Sequence, residues 1–366
     1  MPTTRESWRA KEWTSSLRRI RSPWLLAILA LLLPAVALFS MTVGTVSISF
    51  VDAWHAMAVS LSADSQAVTS QTQVILFDIR LPRVLLAMFV GSVLASTGAV
   101  MQGLFRNPLA DPSLIGVSGG ASVGASLVIV FATGLFGSSV VESGVLMGLS
   151  LVAAGAFLGG FVATILVYRL ATSGIGTSVT TMLLAGIAIG ALAGALNSLL
   201  SYFADNDMLR QISLWQMGNL SAASWSKVFI MALVSLILLL RFPADSAALN
   251  ALLLGESEAR HLGIDVQQVK RRLIVLTALG VGVSVALAGM VGFVGLVIPH
   301  VVRLLIGPDH RWLIPCSALA GAILLVIADS LARVVLLPAE LPTGILTALL
   351  GAPFFIVLLL QQRREV

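Results

Sequence analysis

Apolar residues along this chain gather into ten blocks, most of them wide enough to cross a bilayer as a helix, which takes about 20 residues. They cover residues 23–43, 84–104, 114–134, 145–168, 179–200, 222–240, 273–291, 293–305, 312–331 and 342–360. Short polar breaks separate them, and no block alternates with the period of a strand. The pattern predicts an all-α polytopic membrane protein of about ten spans. The eighth block is too short for a full crossing, so it is expected to be tilted or packed inside the protein. Residues 80–126 organise the whole: a basic frame at Arg80 and Arg83, an apolar run, a polar break at 106–112, then a second run rich in Gly, Ser and Ala. That is a membrane hairpin whose small residues predict closely packed backbones.

Domain organisation follows directly. Residues 1–22 form a polar tail with six Lys or Arg residues and two tryptophans, Trp8 and Trp13, able to form a short interfacial helix. Residues 23–366 read as a single transmembrane domain. A basic lead, a Leu-rich core and Ala35-Val36-Ala37 would also fit a secretory signal. The long polar lead and the apolar residues beyond the alanine site favour a retained first span. Ten crossings put both termini on one side. With the N-terminus inside, only Arg80, Arg83, Arg210, Lys227 and Arg333 of the 22 Lys and Arg residues fall outside. The positive-inside rule therefore makes both termini cytoplasmic.

Composition agrees: charged residues are 11% and hydrophobic ones 58%, against roughly 25% charged in soluble domains. The net charge of +5 marks the cytoplasmic face; no basic stripe with interleaved aromatics points to nucleic acid. Cys316 is the sole cysteine, which excludes a disulfide framework and a multi-cysteine metal site.

Candidate chemistry is sparse within the spans. No carboxylate falls mid-membrane, which disfavours an ion-coupled secondary transporter and a charge-selective channel. Asp329 and Arg333, four apart near an outer helix end, read as a local pair. Glycines recur one turn apart instead: Gly186, Gly190 and Gly194 with Asn197 on the fifth span, Gly120 and Gly124 on the third, Gly155 and Gly159 on the fourth. Most such spacings serve helix packing. The fifth-span face is the candidate for a path or subunit seam, and an uncharged path suits a bulky, largely apolar cargo. Asp111 before Pro112 reads as a helix start. No Gly-Lys-Ser/Thr ending occurs, so ATP is not bound through a Walker A loop. Gly116-Val117-Ser118-Gly119 with His300 weakly suggests an intramembrane serine nucleophile and base, which would have to meet within hydrogen-bond reach. At the inner face, 247–254 is predicted helical up to Gly255, and 256–262 forms a second turn stopped by Gly263. These two short helices look like a docking knob for a soluble partner.

Several long stretches together resemble one family. They are RLPR at 80–83, GAVMQGLFRNPLADPSLIGVSGGASVGAS at 98–126, LLLGESEARHLGID at 252–265, GFVGLVIPHVVRLLIGPDHRWLIP at 292–315, ADSLAR at 328–333 and PAELPTGILTALLGAPFF at 338–355. The chain is similar to the permease subunits of bacterial ATP-binding cassette importers for iron-siderophores, heme and cobalamin. The resemblance implies an inner-membrane, type II importer permease and not an enzyme. It implies a homodimer with a path between the copies, surrounded by membrane lipid, with two cytoplasmic ATPase subunits below and a periplasmic binding protein above. Arg80, Arg83 and Arg333 match outer arginines that meet carboxylates of the binding protein. Leu254, Gly255, Glu256, Ser257, Glu258, Ala259, Arg260, His261, Leu262 and Gly263, within about 246–264, match the coupling helices that enter the ATPase cleft. Residues 207–211, 214–220 and 223–225 look most like the hemin branch, from which Ile212 and Asn219 depart. Heme is the expected cargo, with ferric siderophore or cobalamin as alternatives. No permanently bound cofactor is expected, ATP belongs to the partner subunit, and His300, in a motif shared across cargoes, is not expected to ligate heme.

Overall fold

The computed structural model describes residues 20–44, 46, 71–132, 150–174 and 176–362. In chain order the helices are α1 (Ser22–Thr42), α2 (Gln71–Leu104), α3 (Val117–Ala132), α4 (Leu151–Ala171), α5 (Val179–Phe203), α6 (Asn206–Gln216) and α7 (Trp225–Arg241). They continue with α8 (Ser246–Leu254), α9 (Glu256–His261), α10 (Val266–Ala288), α11 (Val294–Ile306), α12 (His310–Ala332) and α13 (Thr343–Gln362). A two-strand antiparallel hairpin, β1 (Thr172–Ser173) and β2 (Gly176–Thr177), joins α4 to α5, with Thr172 opposite Thr177. Each of the ten predicted blocks holds a helix among the described residues: seven are of spanning length, α3 and α11 are shorter, and α13 contributes the apolar stretch Thr343–Val357. The chain is a multi-pass membrane protein. Residues 1–19, including Trp8 and Trp13, lie outside the described residues.

The buried centre is α2. In its most apolar window 83% of residues are inside the protein, against 11% for α1. It is enclosed by α7, α10, α11 and α12. The exposed leucines and aromatics of α1, α4, α5 and α7 face outward, as lipid contact requires. Contrary to expectation, Arg80 and Arg83 do not precede this helix but lie within it. Its first turns include a π-helical stretch, Ile75–Arg80, where the Leu81 amide bonds back to Leu76. Pro82 accounts for the defect, because it has no N–H for the preceding turn and its ring displaces the carbonyl four residues back.

Glycines set two close crossings. A methyl on Gly120 or Gly124 of α3 would overlap the Gly159 or Gly155 carbonyl of α4. Likewise Gly91 of α2 and Gly321 of α12 each face the other's carbonyl. Lipid tails are as apolar as leucine, so backbone-close packing of this kind is what holds membrane helices together.

Three boundaries differ from the sequence expectation. The outer segment between the fifth and sixth spans holds a helix of its own, α6, capped by Asp205, whose carboxylate accepts from the Met208 amide at 2.8 Å. The seventh span starts at Val266 rather than 273 because its basic residues find partners. Lys270 bonds Glu256, Arg272 bonds Asp245, and Asp265 caps the first turn. The expected start at Asp111 is a short 3-10 turn, Pro112–Ile115, which Gly116 at φ +83° redirects into α3. The short α11 lies inside the protein, with Val294, Gly295, Pro299, His300, Val302 and Ile306 buried. The irregular chain before it packs through Gly289 and Met290 against Gly218 and Gly344, while Gly292 is exposed; non-helical backbone at membrane depth is tolerated where protein buries it or it lines a cavity.

Candidate transport path and its two ends

At the outer end, four helices meet in one buried ionic cluster. Asp329 of α12 is 1% exposed. It receives Arg83 Nε on both oxygens at 3.0 Å, Arg333 Nε at 3.3 Å and the Thr343 hydroxyl at 3.1 Å. Arg83 also donates to the exposed Glu340 at 2.7 Å. Arg333 reaches Ser40 of α1, donating to its carbonyl at 3.1 Å and its hydroxyl at 2.6 Å, and donates to the Val43 carbonyl at 2.8 Å. Arg80 meets no carboxylate among the described residues; it donates to the carbonyls of Met41, at 2.6 Å, and Val46. All three arginines are buried. Their partners within this chain are its own carboxylates and carbonyls. The cluster also ties α1 to the bundle. Sequence spacing found the Asp329–Arg333 pair. It missed Arg83, Glu340 and Thr343, which are brought together by tertiary packing.

At mid-level, the tandem glycines of α5 divide. Gly186 packs against the Leu114 carbonyl and is a helix contact. A methyl on Gly190 or Gly194 would meet nothing within 4 Å. Both line a cleft of about 580 Å³ with Ser122, Asn197, Gln216 and Met290. Its polar groups largely satisfy one another. Asn197 accepts from Ser126 at 2.7 Å and donates to the Ala193 carbonyl at 3.0 Å, while Gln216 donates to Ser122 at 3.3 Å. Such a wall has no charge to hold an ion and little to grip a cargo tightly.

At the inner end, α8 and α9 form the predicted knob. Gly255, at φ +133°, makes a break between them that a side chain would strain. Leu249, Leu252 and Ala259 anchor the underside, whereas Leu254 and Leu262 are 70% and 65% exposed. Ser257, Glu258, Arg260, His261 and Gly263 are also exposed. Asn250 fastens α8 to the start of α12, accepting from the His310 amide at 2.9 Å and donating to Asp309 at 2.7 Å. Lys270, 2% exposed, bonds Glu256 at 2.6 Å and the Thr177 carbonyl at 3.0 Å. Arg260 adds an exposed pair with Glu256 at 3.7 Å. Nothing in the local pattern singles out Lys270; its partners lie 14 and 93 residues away. Ser118 and His300 do not form a nucleophile and base. Both ring nitrogens of His300 are without hydrogen-bond partners, and its ring packs edge-on against Phe354 at 6.2 Å.

A helical bundle with an uncharged, small-residue cleft between a charged outer end and a pair of short inner helices defines a membrane permease. The chain belongs to the FecCD transport family, whose model matches residues 31–361. It is 43% identical over 347 residues to the hemin transport system permease protein HmuU of Yersinia pestis, covering 95% of this chain and 98% of that one. It is 42% identical over 318 residues to the cobalamin import system permease protein BtuC of Halobacterium salinarum, covering 86% and 80%. Among solved structures it is similar to a protein described as a metal-chelate type ABC transporter in an inward-facing conformation. That match has a TM-score of 0.77 and 34% identity, covering 93% of this chain and 99% of that one.

Proposed function

We propose that this chain is the permease of an ATP-driven importer that carries hemin across the bacterial inner membrane into the cytoplasm. The observation that carries this reading is the 43% identity to a hemin permease along nearly the whole of both chains. The uncharged cleft at Gly190 and Gly194 supports it chemically: a flat, largely apolar macrocycle needs width and weak contacts. Firm ligation would slow release, so the path is not expected to supply axial ligands to the iron. Cobalamin is the second reading, supported by relatives of 42% identity; a ferric siderophore is the third. A strain lacking the gene, grown on hemin or a ferric siderophore as sole iron source, decides. Failure on hemin alone, rescued by the gene, is the expected result. Failure on the siderophore alone would transfer the reading to that cargo, and normal growth on hemin would remove hemin.

The path is assigned to the seam between two copies of the chain, each presenting the open Gly190–Gly194 face of α5 and Asn197, with Gly186 holding that helix in place. Two cytoplasmic ATPase subunits take the exposed residues of α8 and α9, from Leu254 to Gly263, into their clefts. ATP is hydrolysed there, and alternating access follows from a shift between two arrangements of the dimer.

A periplasmic heme-binding protein docks at the outer end above Arg80, Arg83 and Arg333. Arg80 has no carboxylate partner among the described residues, which supports its attraction of acidic lobes. The variant Arg80→Gln removes the charge and keeps a polar amide on the shorter side chain. It is expected to weaken binding-protein docking to the reconstituted permease about tenfold and to flatten its salt dependence. Unchanged affinity and salt dependence would remove Arg80 from the docking surface.

A further inference from the structure

We propose that Lys270 is a positioning residue that transmits movement of the inner knob to the foot of α5. The proposal rests on the coupling reading of α8 and α9. One buried ammonium joins two elements of different kind: the Glu256 carboxylate, on the first turn of α9, and the Thr177 carbonyl, on the last residue of the β-hairpin. Thr177 is held from its other side too. Its amide donates to Gln267 Oε1 at 3.0 Å, and Gln267 is one helical turn from Lys270 on the same face of α10. Both backbone groups of Thr177 are therefore fixed by α10.

The two strands of the hairpin are tied together. The Thr172 and Thr177 hydroxyls bond at 3.0 Å, and the Ser178 amide donates to the Ala171 carbonyl at 2.9 Å. Ser178 then caps α5, its hydroxyl accepting from the Thr181 amide at 3.3 Å. A displacement of Glu256 thus reaches the first turn of α5 through one side chain and one capped turn. From Val179 to the open face at Gly190 is about 17 Å along the helix axis, without a proline or a positive-φ residue between.

Glu256 does not depend on this lysine: its side chain is 30% exposed and also pairs with Arg260. The Thr177 carbonyl does, because Gln267 serves only the Thr177 amide and an apolar residue at 270 would leave the carbonyl without its donor. The charge connects the knob to the hairpin by bonds that hold under both push and pull.

The test uses the permease assembled with its ATPase subunits in lipid nanodiscs. Gly174→Cys places a thiol on the exposed hairpin, where nothing lies within 4 Å. Ser257→Cys places one on the exposed face of α9. The native Cys316 is buried and serves as the silent background. Maleimide labelling is timed with and without MgATP. MgATP is expected to change the labelling rate at 174 at least threefold in the parent. Lys270→Met is expected to abolish that change while ATP hydrolysis stays within twofold, the ATPase still shields 257, and uptake per ATP falls at least tenfold. Lys270→Arg, which keeps both bonds, restores the response. Glu256→Ala removes the acceptor from the partly exposed side, without a buried substitution, and is expected to abolish the change at 174 as Lys270→Met does. A response at 174 that persists in both variants, or that is absent in the parent, overturns the relay. A thiol at 257 that the ATPase never shields overturns the coupling reading, and the relay with it.

Discussion

Replacing Asp329 by alanine is expected to destabilise the permease by about 3–5 kcal/mol, the cost of removing one partner from a buried ion pair. Here one carboxylate serves two guanidiniums and a hydroxyl, at a site 1% exposed. Without it Arg83 keeps only the exposed Glu340, and Arg333 keeps only neutral oxygens of α1 and α12. The effect should appear as a lower midpoint of thermal unfolding in detergent and as poor recovery from the membrane. Asp329→Asn should recover part of the loss, because its amide oxygen still accepts a hydrogen bond. A purified Asp329→Ala protein with the parental midpoint would show that water or lipid headgroups replace the carboxylate, and the cluster would not be a structural centre.

The second large effect is expected at the knob. Leu254→Asp combined with Leu262→Asp should abolish association with the ATPase and leave the bundle intact. Both side chains project outward, so the fold loses no packing. An interface that buries two leucines gains about 1.5–3 kcal/mol from each, and inserting carboxylates removes that gain and adds desolvation cost. Together that exceeds a hundredfold in dissociation constant. Co-purification of the ATPase should fall below detection, with the unfolding midpoint of the permease unchanged. Association at parental strength would place the contact elsewhere on the inner face.

The spans were legible in the sequence because each writes its signal locally, as an unbroken apolar run. The breaks at Gly255 and Gly263 were equally legible, since chain reversal there demands a residue that accepts positive φ. Less could be read where a signal depends on what lies opposite. The motif Gly186–Gly190–Gly194 has one spacing but two environments: the first glycine touches Leu114, and the other two face open space. Spacing alone cannot separate a packed glycine from a path-lining one. Arg83 and Arg333 look like surface charges in a linear pattern. Their burial follows from Asp329 and Glu340, one of them 246 residues from Arg83 along the chain. Lys270 carries no local signal for the same reason, because Thr177 approaches it only through the fold.

The central claim is ATP-driven inward movement of hemin through this chain. The most direct measurement is hemin uptake into proteoliposomes holding the permease and its ATPase subunits, with the binding protein outside and MgATP sealed inside. The account predicts uptake that requires both ATP and the binding protein, falls at least tenfold when Gly190→Leu fills the open face of α5, and stops when the ATPase is inactivated. Hemin uptake that continues with an inactive ATPase, or that ignores Gly190→Leu while requiring ATP, would contradict the mechanism or the path, respectively.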